Sequence, residues 1–283
     1  MTIKEILKKA NKILIENYIE ENFLKTRILL AHVLEVSKEY LIINEEKEIL
    51  PKKEEDFFYK IEKLLKGEPI QYITNKAEFM GLEFYVDRNV LIPQPDTEIL
   101  VENIISLVDN LQKNNQKEIK ILDLCTGSGA IGVSLYKNLQ NVKIFASDIS
   151  SKALNIARKN SELNNSQIEF IQSDLFENIN ERFDIIVSNP PYIVSSEFES
   201  LSVEVQNEPK IALDGGEDGL KFYKKIIPEA VQFLNEGGYL AMEIGYNQKS
   251  SVENIFKICG CFKRLYIKKD FNGIERVIIG EIQ

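Results

Sequence analysis

The chain has 283 residues, 44% of them apolar, enough to fill one large core or two ordinary ones. A formal net charge of −9 gives it no general attraction for a phosphate backbone or an anionic membrane surface, which counts against a dedicated nucleic-acid binder. The single histidine, His32, excludes histidine triads and histidine metal sites, and three cysteines, Cys125, Cys259 and Cys261, make no disulfide framework and fit a reducing cytoplasm.

Residues 1–75 read as short amphipathic helices. Ile3, Ile6, Leu7, Ala10, Ile13 and Leu14 recur at helical spacing, with Thr2 and Glu5 at capping-box distance. Charges interrupt this opening segment, so a folded helix is expected there and not a signal peptide. "PKKEEDFFYKIEKLLKGEP" starts a helix on Pro51 and ends it at Gly67, and His32 sits in the helical "KTRILLAHVLEV" as a packing residue. Residues 76–95 change period: Phe79, Leu82, Phe84 and Val86 suit extended chain, "VDRN" suits a turn, and a β-hairpin linker is expected.

Residues 96–283 alternate strand and helix through "IKILDL", "AIGVSLYKNL", "VKIFASD", "SKALNIARKNSELN", "IEFIQSD" and "FDIIVSN". Apolar strands separated by helices imply a parallel sheet covered on both faces. A helix "LKFYKKIIPEAVQFLNEGG", a strand "YLAMEIG", a helix "VENIFKICG" and a final hairpin turning at Asn272-Gly273 complete the pattern. The expected fold class is α/β: a doubly wound seven-stranded sheet with an antiparallel C-terminal hairpin, preceded by a small helical domain. No apolar run approaches the roughly 20 residues that a membrane span needs, so a soluble, cytoplasmic monomer is expected.

In "ILDLCTGSGAIG", Gly127, Gly129 and Gly132 have G-x-G-x-x-G spacing between a strand and a helix, where the backbone approaches a ligand and the helix N-terminus points at it. Asp148 follows about 20 residues on, at the end of the next strand, where a carboxylate accepts hydrogen bonds from ribose hydroxyls. Taken alone, the motif fits a dinucleotide as well as a nucleoside. Asp123, just before the loop, would repel a pyrophosphate and welcome the sulfonium and ammonium of S-adenosyl-L-methionine; the plainer reading is that it caps the loop through backbone amides. Asp174, with Leu175 and Phe176, follows the third strand at the expected adenine position.

The strand "FDIIVSN" ends in Asn189-Pro190-Pro191-Tyr192. Two prolines stop any helix or ladder, and the ring of Pro190 forces Asn189 toward extended geometry at the strand's end. The amide oxygen of Asn189 and the carbonyl of Pro190 are two acceptors suited to a planar NH₂ group, and Tyr192 could pack over that group. Amide and exocyclic amine nitrogens are weak nucleophiles, and holding both protons fixes the nitrogen before a methyl donor. No general base is required, which suits a site without histidine.

"DLCTGSGAIG", "SDIS", "SDLF" and "SNPPYI" in this order resemble amino-methyltransferases of the class I S-adenosylmethionine-dependent fold. "GEPIQYITNKAEFMGLEFYVDRNVLIPQPDTEILVE" and "EPKIALDGGEDGL" narrow the resemblance, over nearly the whole chain, to the HemK/PrmC family. That resemblance implies transfer of a methyl group from S-adenosyl-L-methionine to the side-chain amide nitrogen of the glutamine in the Gly-Gly-Gln motif of peptide chain release factors, with S-adenosyl-L-homocysteine as product. It also implies that Thr126, Gly127, Ser128 and Gly129 line the methionine end, Asp148 the ribose and Leu175 the adenine, that Asn189 touches both cofactor and substrate, and that Asn189 through Tyr192 cradle the glutamine. The helical domain would help dock the release factor. Two departures stand out: Gln94 where the family usually has arginine, and Cys125, whose thiol could touch the cofactor, where it usually has glycine.

Two rival readings remain. A DNA adenine methyltransferase also holds a planar NH₂, but should carry a basic face or a target-recognition domain. A non-catalytic cofactor-binding scaffold would have no use for Asn189 and both prolines. A dehydrogenase is disfavoured by Asp123 and the proline pair. Glu208, Asp214 and Glu243 are expected to brace loops.

Overall fold

A computed structural model describes residues 1–114, 117–270 and 272–283. They form two compact units, one of Met1–Asn75 with Ser202–Asn207, the other of Lys76–Leu201 with Glu208–Gln283.

The first unit is helical: α1 (Ile3–Glu16), α2 (Asn22–Leu34), α3 (Lys38–Ile43), α4 (Pro51–Leu65) and α5 (Ile70–Thr74). Its first helix begins where the sequence places a cap, with Thr2 Oγ1 accepting from the Glu5 amide at 3.2 Å and Glu5 Oε2 accepting from the Thr2 amide at 2.9 Å. Ile3, Ile6, Ala10 and Leu14 of α1, Leu29 and Leu30 of α2, and Phe57, Ile61 and Leu64 of α4 share one buried core. His32 lies in α2. The short helix of Val203–Gln206, which the sequence places with the sheet, belongs to this unit. Lys25 pairs with Glu204 at 3.0 Å, and Asn207 Nδ2 donates to the Gly67 carbonyl at 3.0 Å.

The second unit opens on the hairpin β1 (Ala77–Phe79) and β2 (Leu82–Phe84), whose Phe79 and Phe84 are buried in the core of the sheet. The hairpin is thereby part of this unit's packing. A helix not assigned from the sequence, α6 (Pro95–Asn114), follows.

The sheet comprises β3 (Ile119–Leu124), β4 (Val142–Asp148), β5 (Ile168–Gln172), β6 (Phe183–Ser188), β7 (Leu234–Glu243), β8 (Phe262–Lys269) and β9 (Glu275–Ile282), in spatial order β5-β4-β3-β6-β7-β9-β8. All ladders are parallel until β9, which runs antiparallel to both neighbours. One face is covered by α6 and α7 (Ala130–Asn138), the other by α10 (Lys221–Phe233) and α11 (Lys249–Cys259); α8 (Ser151–Leu163) packs on β4 and β5. Strand order reverses between β3 and β6, which opens a crevice at their carboxyl ends, the position where such sheets bind ligands. One boundary differs from expectation: α10 ends at Phe233, and Asn235–Gly238, read as its terminator, are part of β7 beside a register shift opposite Phe183 and Ile185.

Candidate active site

The carboxyl ends of β3, β4 and β6 frame a cavity of about 260 Å³. The turn after β3 can fold there because two of its residues are glycines with left-handed backbone, Gly127 at φ +55° and Gly129 at φ +81°. A Cβ on Gly129 would meet Ala157 of α8 at 3.1 Å, so this glycine permits close packing of the loop on that helix. Cys125 also has left-handed backbone, φ +62°, which gives the physical reason a glycine would be comfortable there; its thiol lines the cavity, and burial pushes it up, away from thiolate.

Of the residues expected at the cofactor, Cys125, Thr126, Gly127, Ser128, Asp148, Leu175 and Asn189 line this cavity, as does Pro191 of the proline pair. Gly129, Pro190 and Tyr192 do not. Gly129 is the helix cap and packs on α8, Pro190 is buried at the strand end, and Tyr192 turns its hydroxyl to Glu243 at 3.1 Å. The expected packing of Tyr192 over a substrate group therefore has no support from the cavity wall.

Asp148 accepts the Gly127 amide at 2.9 Å and the Ser150 amide at 2.9 Å. Burial raises its carboxyl above the usual carboxylate range, against the lowering effect of those amides. Each carboxylate oxygen takes one of these amides and has a second lone pair, and Leu175 and Phe222 line the same cavity with apolar side chains. An acidic strand end, a glycine turn and an apolar wall fit a nucleoside with hydroxyl groups.

Asp123 does not reach that cavity. It is fully buried, its Oδ2 accepting from Thr126 Oγ1 at 2.5 Å and from the Gly132 amide at 3.0 Å, so it braces the loop from behind. Burial without a cation raises it to about 7, and its Oδ1 has no partner among the described residues. Asp123 is absent from the cavity wall and so does not itself choose between a pyrophosphate and a sulfonium there.

Asn189 follows the last residue of β6 and lines the cavity. Its Nδ2 donates to Thr97 Oγ1 at 3.0 Å, Thr97 Oγ1 donates to Glu243 Oε2 at 2.6 Å, and Tyr192 holds the other oxygen of Glu243. Thr97 lines the cavity from the start of α6, and it lies inside the segment "IPQPDTE" whose Gln94 drew notice alone. Gln94 also lines the cavity but donates to the carbonyl of Ile92 at 3.0 Å. Glu208 and Asp214 brace loops: Glu208 accepts the Ile92 amide at 2.9 Å, and Asp214 takes the Ser195 hydroxyl at 2.6 Å and the Gly216 amide at 3.0 Å. Lys221 and Lys225 of α10, which no motif in the sequence singled out, line the cavity as well.

Over nearly its whole length the chain is similar to known methyltransferases. Residues 5–74 match the family described as PrmC N-terminal domain, and residues 104–273 the family described as Methyltransferase small domain. A release factor glutamine methyltransferase of Clostridium acetobutylicum is 42% identical over 99% of this chain and 98% of its own length. The Geobacter sulfurreducens protein of the same name is 37% identical, over 99% and 97%. Among solved structures, a methyltransferase from Pyrococcus furiosus superposes with a TM-score of 0.51 over 82% of this chain and 98% of its own; at 18% identity the likeness is one of fold.

Proposed function

The chain belongs to the release factor glutamine methyltransferase family, and from that premise we infer that it methylates the side-chain amide nitrogen of the glutamine in the Gly-Gly-Gln motif of release factors, at the expense of S-adenosyl-L-methionine. The observation that carries this reading is the position of Asn189, a neutral acceptor beyond the end of β6, on the wall of a cavity it shares with the glycine turn and Asp148.

Bound S-adenosyl-L-methionine supplies an electrophilic methyl group on a sulfonium. The residues of the chain orient what reacts with it. Asp148 offers its carboxylate to the ribose hydroxyls, Thr126, Gly127 and Ser128 border the methionine end, and Leu175 faces the adenine. Asn189 Oδ1 takes one proton of the substrate amide. The family resemblance gives the other proton to the carbonyl of Pro190, a residue buried at the strand end and outside the lining of this cavity. Both acceptors hold the nitrogen with its lone pair toward the methyl carbon; the N–C bond forms as the C–S bond breaks, and the proton then leaves to solvent. Alignment of this kind can lower a barrier by about 7–11 kcal/mol, enough for positioning to serve as the main source of catalysis in a site without a strong base. With no histidine in the cavity lining and the Cys125 thiol held protonated, the site is built for orientation more than for proton abstraction.

The helical unit is read as the docking element for the protein substrate, the enzyme as a cytoplasmic one acting in translation termination. Incubation with labelled S-adenosyl-L-methionine and, in parallel, a purified release factor and duplex DNA tests all this, with mass spectrometry to locate the methyl group. Label on the Gly-Gly-Gln glutamine is the expected result; label on adenine would make the site that of a DNA enzyme.

A further inference from the structure

An asparagine side chain has an acceptor on one side and two donors on the other, and it serves a substrate NH₂ only with its oxygen turned toward it. The shape of the amide does not select that orientation, since a half-turn exchanges oxygen and nitrogen at nearly constant volume. Hydrogen bonding must select it. Thr97 Oγ1 has a single proton, which it donates to Glu243 Oε2 at 2.6 Å, and so it shows only lone pairs to Asn189 Nδ2 at 3.0 Å. Turned round, the amide would set two acceptor oxygens against each other. The other oxygen of Glu243 accepts from the Tyr192 hydroxyl at 3.1 Å, so both ends of a fully buried carboxylate receive protons and donate none.

We propose that Glu243, acting through Thr97, is a positioning residue that locks the Asn189 amide with its oxygen toward the substrate nitrogen. The proposal rests on the functional reading above and adds to it a second tier of residues and a pH dependence.

The lock is strict only while Glu243 is ionised, when neither of its oxygens can donate to Thr97. Burial raises this carboxyl to about 7, opposed by the hydroxyls of Thr97 on α6 and Tyr192 after β6 and by the positive charge of Arg276 on β9, and reinforced by Asp96 on α6. Arg276 is shared between Asp96 at 3.0 Å and Asp270 at 3.1 Å, which limits its hold on Glu243. Tyr223 of α10 donates to the main-chain carbonyl of Glu243 at 2.9 Å and leaves the carboxylate untouched. Once protonated, Glu243 can itself donate to Thr97, the Thr97 proton is released toward Asn189, and the amide can reverse and meet the substrate NH₂ with its own. The rate of methyl transfer therefore falls as pH drops through the Glu243 transition.

The test is steady-state kinetics of the full chain with a release factor and S-adenosyl-L-methionine between about pH 5.5 and pH 9, with S-adenosyl-L-homocysteine affinity and thermal melting measured alongside. Thr97→Val keeps the shape and removes the hydroxyl; kcat should fall about 10- to 100-fold and lose its acidic limb, while KM for the release factor and homocysteine-product affinity stay within about threefold. Thr97→Ser should recover most of kcat and the limb, which a merely space-filling role for Thr97 would not predict. Glu243→Gln, whose amide can turn either its oxygen or its NH₂ to Thr97, should show a smaller loss of kcat than Thr97→Val and the same flat profile; should it not accumulate folded, the two Thr97 variants decide the matter. A Thr97→Val enzyme with the parent's kcat and pH profile, or one whose loss appears equally in product affinity, overturns the lock alone. A parent protein that binds S-adenosyl-L-homocysteine and methylates no release factor overturns the functional reading and the lock with it.

Discussion

The glycine turn and the asparagine rim face the same cavity, and they are wired differently. In the turn, Asp123 reaches Thr126 and Gly132, three and nine residues away, Asp148 takes the Gly127 amide from 21 residues away, and Asn160 holds the Ser128 carbonyl from 32, so the polar bonds close within consecutive strand and helix segments. At the rim, Asn189 depends on Thr97, 92 residues away, and Thr97 on Glu243, 146 residues away. The turn can take its shape once β3, α7 and the next strand and helix, β4 and α8, are in place. The rim is complete only when α6, β6 and β7 have all assembled, so its geometry reports on the whole sheet unit.

This contrast sets the first prediction, the one with the largest effect. Asn189→Ala should remove about 100-fold or more of methyl transfer in a single-turnover assay, because a substrate donor is left unpaired and the nitrogen is no longer aligned. Cofactor affinity, held mainly by the turn and Asp148, should change only a few-fold by calorimetry. If affinity fell as far as turnover, the two regions would be one network and the division between them would be wrong.

The same contrast explains how much of the molecule could be read in advance. Periodicity and strand-end chemistry are local properties, so the order of strands and helices, the glycine turn, Asp148 and the terminal Asn189-Pro190-Pro191 were legible from residues close in sequence. The partnership of Thr97, Asn189 and Glu243 was not, because nothing short-range marks which buried hydroxyl meets which carboxylate. Asp123 misled for a related reason: its type and position suit a cationic ligand, and only burial and its two donors reveal a loop brace. Tyr192 likewise was marked only by its place after the prolines, and nothing in the sequence pointed its hydroxyl to Glu243.

Asp148→Ala should give the opposite split from Asn189→Ala. Removing the carboxylate deletes the proposed ribose acceptor and strands the Gly127 amide that it accepts at 2.9 Å. Cofactor affinity should weaken about 10- to 100-fold, measured by calorimetry with S-adenosyl-L-homocysteine, with the single-turnover rate at saturating cofactor reduced much less. Unchanged affinity would place the ribose elsewhere and take the cofactor out of the glycine turn's end of the cavity.

The smallest effect should be that of Asp123→Asn, and it separates bracing from binding. Burial raises the Asp123 carboxyl from 3.8 to about 7 in the folded chain. Between those values the folded state holds a proton that the unfolded state has released, so ionisation costs the fold stability as pH rises through the interval. The contribution is fully present below about 4 and lost above about 7, on the order of 1–4 kcal/mol across the window. Asparagine cannot ionise, keeps an oxygen for Thr126 and Gly132, and leaves an unpaired NH₂ at the position of Oδ1, which costs about 1–3 kcal/mol at every pH. The melting temperature of the parent should therefore exceed that of the variant most at pH 5, and the gap should shrink or reverse by pH 8, while the titration of Glu243, present in both, cancels from the difference. Cofactor affinity at pH 8 should move less than in Asp148→Ala, because Asp123 makes no contact with the cavity. Melting curves that stay parallel across the range would mean that Asp123 is ionised throughout and held by something other than the two donors it shows.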